Sequence, residues 1–193
     1  KMKGVVMEDI QIKEGTFYQT TLAKVHAFII VDTGKITKGA VKWAHRNHCH
    51  AFVAKPDADI SAFGRIISFL HSQGIRKIGI LELSEQSHMA LAVAATHPQV
   101  TLTIVSNPDN TDINISSIRG FLMCFGTTQD PVFASLQQDC RCVCMPFQYD
   151  QKKNQLLPRS MLPIGYHLGV HGKARQDMDE HMQNIVKIWV NQR

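Results

Sequence analysis

Three histidines and one cysteine lie within the six residues His45-Arg46-Asn47-His48-Cys49-His50. Imidazole and thiolate groups are ligands that zinc prefers in proteins. On a β-strand, however, His48 and His50 share one face and Cys49 lies on the other, so at most two of these groups can bind one ion. The remaining ligands would have to come from distant residues such as Cys140, Cys142 and Cys144. Surface or partly buried histidines are the preferred interpretation, and zinc is not expected.

Two other local patterns could support covalent or acid chemistry. Cys49 has histidines on both sides, but adjacent strand residues point to opposite faces, so a catalytic pair would need a more distant histidine. The triplet Asp32-Thr33-Gly34 occurs in aspartic proteases, but a single copy outside an all-β pattern is better explained by a tight turn. The sequence has no glycine-rich loop that could hold a phosphate, which argues against nucleotide-dependent chemistry.

The first third of the chain is rich in strand-forming segments. The turn Asp32-Thr33-Gly34-Lys35 separates two of them and predicts a β-hairpin. A further short strand ends at Lys55-Pro56-Asp57, because proline cannot donate to a strand ladder. The predicted strands are Lys3–Ile12, Lys24–Val31, Ile36–Trp43 and His50–Ala54.

Helices and strands are expected to alternate from Asp59 onward. In the first helix, Ile60, Phe63, Ile67 and Leu70 recur at intervals of three and four residues. A second hairpin and an amphipathic helix are predicted to follow. The predicted elements are helix Asp59–Ser72, strand Lys77–Leu83, helix Ser84–His97, strand Val100–Val105, helix Ile115–Phe125, strands Asp139–Tyr149 and Asn154–Leu162, and helix Lys173–Gln192.

This order of elements predicts an α/β fold of the ribonuclease-H-like kind, with three antiparallel strands followed by alternating helices and strands around a mixed sheet. We expect residues 1–125 to form that domain. Residues 126–193 are expected to form an extension, consisting of the hairpin and the C-terminal helix, that packs on it. The apolar face of the final helix is expected to dock on its own core, with a homodimer or protein-partner contact as the alternative. That face carries Met178, Met182, Ile185, Val186, Trp189 and Val190.

Residues 5–123 resemble the catalytic core of a retroviral or retrotransposon integrase. The segments that carry the resemblance are Val5-Val6-Met7-Glu8-Asp9-Ile10, Phe28-Ile29-Ile30-Val31-Asp32-Thr33-Gly34, Gly74-Ile75-Arg76-Lys77-Ile78-Gly79-Ile80-Leu81-Glu82 and Ser106-Asn107-Pro108-Asp109-Asn110. Integrases hold two divalent cations with two aspartates and one glutamate, and these cations stabilise the attacking and leaving oxygens of phosphoryl transfer.

The resemblance implies Asp9 and Glu82 as the first two metal-binding acids, with Mg²⁺ or Mn²⁺ as the cofactor if the core is active. The family's Asp-Asn-Gly is absent after that strand, where Leu83-Ser84 follow, and Ile115-Ser116-Ser117 stand where the third acid is expected. Asp109 or Asp112 would have to substitute for it. The resemblance therefore implies a nucleic-acid-binding domain with degenerate catalytic machinery.

Two alternatives come from other classes of protein. A small protein-interaction domain is one, because residues 27–82 are similar to the soluble domain of ExbD/TolR-type energy transducers through Val53-Ala54-Lys55-Pro56-Asp57 and Gly74-Ile75-Arg76-Lys77-Ile78-Gly79. A metal-dependent nuclease of the PIN-like class is the other, with Asp32, Asp109 and Asp112 as its acids.

Composition limits the class of protein and the compartment. The chain has 193 residues, a formal net charge of +5 and a sequence pI near 9.0. The basic excess favours acidic partners such as nucleic acid but is spread along the chain without a basic block. No run reaches the roughly 18 to 20 apolar residues of a membrane span. An odd number of cysteines, 5, indicates free thiols and an intracellular, reducing compartment, either cytoplasm or nucleus.

Overall fold

The structure is a computed structural model. It describes residues 7–32, 37–83, 87–106, 113–126, 143–150, 155–157 and 172–192. Side chains are described within those ranges except for residues 126, 143–150, 155–157 and 172–178. No helix within these ranges is long and apolar enough to cross a membrane.

The described strands form one nine-stranded mixed sheet with the order β1-β2-β4-β3-β5-β6-β7-β8-β9. The pairings from β4 through β8 are all parallel, whereas β1, β2 and β9 join the two edges in antiparallel fashion. The strands are β1 (Ile10–Ile12), β2 (Gly15–Tyr18), β3 (His26–Val31), β4 (His50–Ala54), β5 (Lys77–Glu82), β6 (Val100–Ser106), β7 (Phe121–Gly126), β8 (Val143–Asp150) and β9 (Gln155–Leu157).

Helices cover both faces of the sheet. The α-helices are α1 (Thr37–Arg46), α2 (Ile60–Ser72), α3 (Met89–Thr96) and α4 (Gly172–Asn191), and a 3₁₀ turn spans Ile115–Ser117. One core contains the buried side chains of α2 and α3, and the other contains those of α1 and α4. Parallel strands need this cover because both of their faces are apolar.

The helix α2 shows how the sequence determines an element. The Asp59 carboxylate accepts a hydrogen bond of 2.8 Å from the backbone N–H of Ala62 and thereby caps the first turn. The face that carries Phe63, Ile67 and Leu70 is buried against the sheet. Both the helix and its buried face follow the predicted pattern.

The mixed α/β class was predicted correctly, but the predicted first hairpin was wrong. The segment from Thr37 to Arg46 is a helix, so it cannot be the second strand of a hairpin with β3, which ends at Val31. As a result β3 and β4 are parallel neighbours. Within the described sheet, the predicted antiparallel pair formed by Lys24–Val31 and Ile36–Trp43 is therefore replaced by a parallel β3–α1–β4 unit.

Two later predictions also differ from the structure. Helix α3 begins at Met89 rather than Ser84. The predicted helix Ile115–Phe125 is a short 3₁₀ turn followed by β7. The second hairpin is present as β8 and β9, and the sheet continues through β7 across the expected boundary at residue 125. The division into residues 1–125 and 126–193 stays a prediction.

Candidate functional site at the carboxyl edge of the sheet

Among the described strands, the order of the sheet has one topological switch point, between β3 and β5. The chain leaves β3 through α1 to reach β4 on one side, then returns through α2 to β5 on the other side of β3. In open α/β sheets, ligands bind beyond the carboxyl ends of the strands at such a point. We name the edge where β3 to β8 end the carboxyl edge. A ligand-binding or active site is expected at this edge, beside the switch point.

Two acidic side chains lie beside the switch point. Asp32 follows β3 and accepts a hydrogen bond from the Thr37 hydroxyl at the start of α1. Glu82 is the last residue of β5, and its side chain is only 4% exposed. Their neighbours in the ladder, Ile30 and Leu81, are paired across the two strands.

The Glu82 carboxylate faces the amino end of α3. Its Oε1 accepts a hydrogen bond of 2.9 Å from the backbone N–H of Ala90. Burial raises the pKa of Glu82, while the N–H groups of Ala90, His88 and Met89 and the charge of His88 lower it. Burial outweighs these effects.

Two buried serines complete this arrangement. The Ser87 hydroxyl donates a hydrogen bond of 2.9 Å to the carbonyl oxygen of Glu82. Its oxygen also accepts a hydrogen bond of 3.3 Å from the backbone N–H of Ser106, the last residue of β6. The beginning of α3 is thus joined to the ends of β5 and β6. Sequence reasoning missed Ser87 and Ser106, because a single serine in a turn carries no pattern of its own.

The predicted metal-binding acids do not meet in one place. Asp9 is exposed and precedes β1, which runs in the same direction as β4, so it lies at the amino edge. Glu82 lies at the opposite edge, and its strand is four positions away from β1 in the sheet, or roughly 19 Å at the usual strand spacing. Asp109 and Asp112 lie outside the described residues.

In the segment from His45 to His50, two histidines contact backbone groups of the fold, and Cys49 is buried. His45 Nε2 lies 3.1 Å from the carbonyl oxygen of Tyr18, and His50 Nδ1 accepts a hydrogen bond of 3.2 Å from the N–H of Thr20. Burial raises the pKa of the Cys49 thiol to about 12. Among the described residues, no three His, Cys, Asp or Glu side chains are grouped so that they could hold a metal ion. Cys140 and Cys142 lie outside those residues, and the side chain of Cys144 is not described.

A cavity of about 230 Å³ lies near the carboxyl end of β4. Arg65 and Glu14 line the cavity and form an ion pair, with 2.8 Å between Arg65 Nε and Glu14 Oε1. Its basic and acidic side chains are equal in number, so it does not favour a ligand of one charge. The charged lining residues are Lys13, Lys55, Arg65, Glu14, Asp57 and Asp59.

Comparison with known proteins supports the α/β class and overturns the integrase resemblance. No protein-family model matches the chain, and no curated protein shows significant sequence similarity to it. Among solved structures, the chain is similar to a dienelactone hydrolase from Anabaena variabilis ATCC 29413, an enzyme with the α/β-hydrolase fold. The two have a TM-score of 0.57 and 9% sequence identity over 92% of this chain and 94% of the other.

This likeness concerns the fold, and it extends over nearly the whole of both chains. The assignment to a ribonuclease-H-like integrase core was therefore wrong. The function predicted from it, a nucleic-acid-binding domain with degenerate catalytic machinery, was wrong as well. The prediction failed because β3 and β4 are parallel strands connected by α1, whereas an integrase-like core was expected to begin with antiparallel strands.

Proposed function

We propose that this protein is a serine hydrolase that cleaves ester or lactone bonds. The observation that carries the proposal is the position of a serine in the chain between β5 and α3, at the switch point of a fold similar to that of a dienelactone hydrolase. In α/β-hydrolases the nucleophile lies on a strand-to-helix turn of this kind.

We propose Ser84 as the nucleophile. It is the second residue after the end of β5, at the centre of Glu82-Leu83-Ser84-Glu85-Gln86. The usual pattern there is Gly-x-Ser-x-Gly, so this chain departs from it at both glycines. Ser87 is the other serine of the connection, but it is fully buried and its hydroxyl is bonded to the Glu82 carbonyl.

We propose His171 as the general base because of the direction of α4. The Lys77 ammonium, at the beginning of β5, donates a hydrogen bond of 2.8 Å to the carbonyl of Trp189 near the end of α4. The helix therefore ends at the amino edge, and its beginning points toward the carboxyl edge. His171 directly precedes α4 in the sequence.

The proposed acid is Asp130, which follows β7 by four residues. Strand β7 is parallel to β6, so it ends at the carboxyl edge. Ser84, Asp130 and His171 then occur in the chain order nucleophile, acid, histidine that is typical of α/β-hydrolases.

The reaction follows from these roles. The Ser84 hydroxyl attacks the carbonyl carbon of the ester while His171 takes the hydroxyl proton, and Asp130 orients the imidazole. The bond from the carbonyl carbon to the leaving oxygen breaks, and that oxygen takes the proton from His171. Water then attacks the carbonyl carbon of the acyl-serine ester and loses a proton to the histidine. The bond from that carbon to the Ser84 oxygen breaks, the serine oxygen takes the proton from His171, and the carboxylic acid is released. A lactone gives a single hydroxy acid by the same steps.

Hydrolysis of p-nitrophenyl esters and of a small lactone tests this proposal. We expect kcat to fall by about a thousandfold or more in Ser84→Ala and by a large factor in His171→Gln and Asp130→Asn. Ser68→Ala, an exposed serine on α2, is the matched control and should retain full activity. His167→Gln and Asp150→Asn test the assignment of the base and the acid. Absence of hydrolysis by the unaltered protein, or full activity of Ser84→Ala, would contradict the proposal.

A further inference from the structure

Basic side chains collect at the amino edge of the sheet, where β3 to β7 begin. Lys24 precedes β3, Arg76 precedes β5 and Arg119 precedes β7. Arg46 is the last residue of α1, the helix that leads to the beginning of β4. All four side chains are exposed. They are far apart in the sequence, so the topology of the sheet, and not a basic run, brings them to one edge.

Backbone contacts fix two of the segments that carry these cations. The N–H of Arg76 donates a hydrogen bond of 2.9 Å to the carbonyl oxygen of Val25, in the segment that precedes β3. Gly120 has a φ of +73° and lies so close to β6 that a Cβ there would be 2.0 Å from the carbonyl oxygen of Thr101. Arg76 and Arg119 therefore extend from backbone that is held against the sheet.

The described acidic side chains lie mostly elsewhere. Glu8 and Asp9 are at the amino edge, but they precede β1, which is two positions outside β4 in the sheet. None of the four cations forms an ion pair with a described residue. The acids that end or follow β3, β4 and β5 are at the opposite, carboxyl edge, and they are Asp32, Asp57, Asp59 and Glu82.

The basic part of the amino edge is broad and carries one exposed apolar side chain. Strands β4 and β7 are four positions apart in the sheet, which corresponds to about 19 Å at the usual strand spacing. Leu22 lies in the connection from β2 to β3 and is 56% exposed. Because β2 is antiparallel to β4, this connection is at the amino edge, two residues from Lys24.

We propose that the amino edge binds to the surface of a lipid bilayer that contains anionic headgroups. Anionic lipids attract clusters of four or more Lys and Arg side chains, and each such side chain near the surface strengthens binding by about fivefold. Lipids move laterally and can gather beneath separate cations. The boundary between headgroups and acyl chains also accepts an exposed apolar side chain such as Leu22.

An acidic protein partner fits this edge less well. A stable protein interface has an apolar centre and buries roughly 800 Å² on each partner. Among the described residues, Leu22 is the only large apolar side chain that is exposed beside these cations. The inference goes beyond the proposed function and does not depend on it, because none of the four cations lies at the carboxyl edge.

Sedimentation of the full chain with vesicles tests the proposal. One set of vesicles contains phosphatidylcholine only, and the other contains about 30% phosphatidylserine, which supplies the anionic surface. We expect binding to the phosphatidylserine vesicles at about 0.05 M salt, a large loss at about 0.5 M salt, and little binding to phosphatidylcholine alone.

Two variants with equal net charge locate the binding surface. Each loses four cations, which lowers the formal net charge from +5 to +1. The first variant is Lys24→Gln/Arg46→Gln/Arg76→Gln/Arg119→Gln, at the amino edge. The matched control is Lys13→Gln/Lys38→Gln/Lys42→Gln/Lys55→Gln, at exposed positions away from that edge. We expect the first variant to bind phosphatidylserine vesicles at least about a hundredfold more weakly, and the control to lose less than about tenfold.

Several outcomes would overturn the proposal. The unaltered protein could fail to bind phosphatidylserine vesicles, or bind both kinds of vesicle equally. Equal losses in the two variants would show that net charge alone causes the binding. Binding to polyglutamate or to nucleic acid without binding to vesicles would assign the edge to another kind of partner. If the first variant does not fold, its four single substitutions should each weaken binding about fivefold, and unchanged binding in all four contradicts the proposal.

Discussion

Lys77 at the beginning of β5 is bonded to Trp189 near the end of α4. The Lys77 ammonium donates a hydrogen bond of 2.8 Å to the carbonyl oxygen of Trp189 and a second hydrogen bond to the carbonyl oxygen of Gln192. The last carbonyl groups of a helix lack partners within the helix, and a cation there is favourable. This contact joins residues 112 positions apart in sequence and sets the direction of α4 on the sheet.

Replacing Lys77 should weaken the docking of α4. We expect Lys77→Met to lower the free energy of unfolding by about 1 kcal/mol, because it leaves the carbonyl groups at the end of the helix without their donor. Urea denaturation followed by circular dichroism measures the change. Lys187→Met, on the exposed side of the same helix, is the control and should change stability little. Equal losses in the two variants would show that the contact adds nothing.

Gly79 on β5 should not tolerate a side chain. A Cβ there would lie 2.6 Å from Cε1 of Phe28, and the Phe28 ring is held between Trp43 and Trp189 at centroid distances of 5.2 and 5.4 Å. We expect Gly79→Ala to cost about 1 to 3 kcal/mol, measured by urea denaturation.

The control for Gly79→Ala is Gly39→Ala, since Gly39 lies in α1 with open space around it. That change should be neutral or stabilising by up to about 1 kcal/mol, because alanine favours helix more than glycine does. A Gly79→Ala variant as stable as the unaltered protein would contradict the packing described here.

The stability of the fold should depend on pH through His50. Burial lowers the pKa of this side chain, and the nearby His45 lowers it further, while the Lys24 carbonyl acts in the opposite direction. The unfolded chain therefore takes up a proton at a higher pH than the folded protein does. The contribution of His50 to the free energy of unfolding is complete at pH values above the side chain's pKa in the unfolded chain, about 6.5. This contribution is lost as the pH falls below that value.

His50→Asn tests this pH dependence. Its Oδ1 can replace Nδ1 as the acceptor for the Thr20 N–H but does not titrate. Free energies of unfolding between about pH 8 and pH 5 should fall less steeply in this variant, although lost contact with Phe17 lowers them overall. His71→Asn, at an exposed position at the end of α2, serves as the control. An unchanged slope in His50→Asn would contradict the assignment.

Cys49 should be inert in the folded protein. Its side chain is fully buried, burial raises its pKa to about 12, and Sγ lies 3.5 Å from the carbonyl oxygen of Asn47. The thiolate is the reactive form. We expect iodoacetamide at about pH 8 to leave Cys49 unmodified until urea unfolds the chain, as followed by peptide mass spectrometry. Rapid modification in the native protein would refute the burial of this thiol.

The sequence predicted the elements whose patterns are local and strong. Asp59 and the apolar face of α2 are of this kind. The turn-like Asp32-Thr33-Gly34-Lys35 favours a strand over Ile36–Trp43, although Ala40, Trp43 and Ala44 are spaced as on a helix and are buried on α1. That single error changed a parallel pair into a hairpin and led to the wrong fold family.

Other features could not be predicted from local pattern. The run Phe121–Gly126 is uniformly apolar, and such a run does not distinguish a buried strand from a helix. The resemblance to integrases implies Glu82 as a metal ligand, but its bond to Ala90 depends on how α3 follows β5 in space. The bond from Ser87 to Ser106 likewise needs β6 as a neighbour of β5. These contacts depend on the tertiary structure and cannot be predicted from the spacing of residues in the sequence.

Covalent labelling of the intact protein by a fluorophosphonate, followed by peptide mass spectrometry, tests the proposed serine nucleophile most directly. We expect one adduct per chain, located on Ser84, that is absent in Ser84→Ala and retained in Ser68→Ala. The probe requires an activated serine, so the result does not depend on knowing the natural ester or lactone. No adduct in the unaltered protein, or an adduct that persists in Ser84→Ala, would contradict the proposal that this chain is a serine hydrolase.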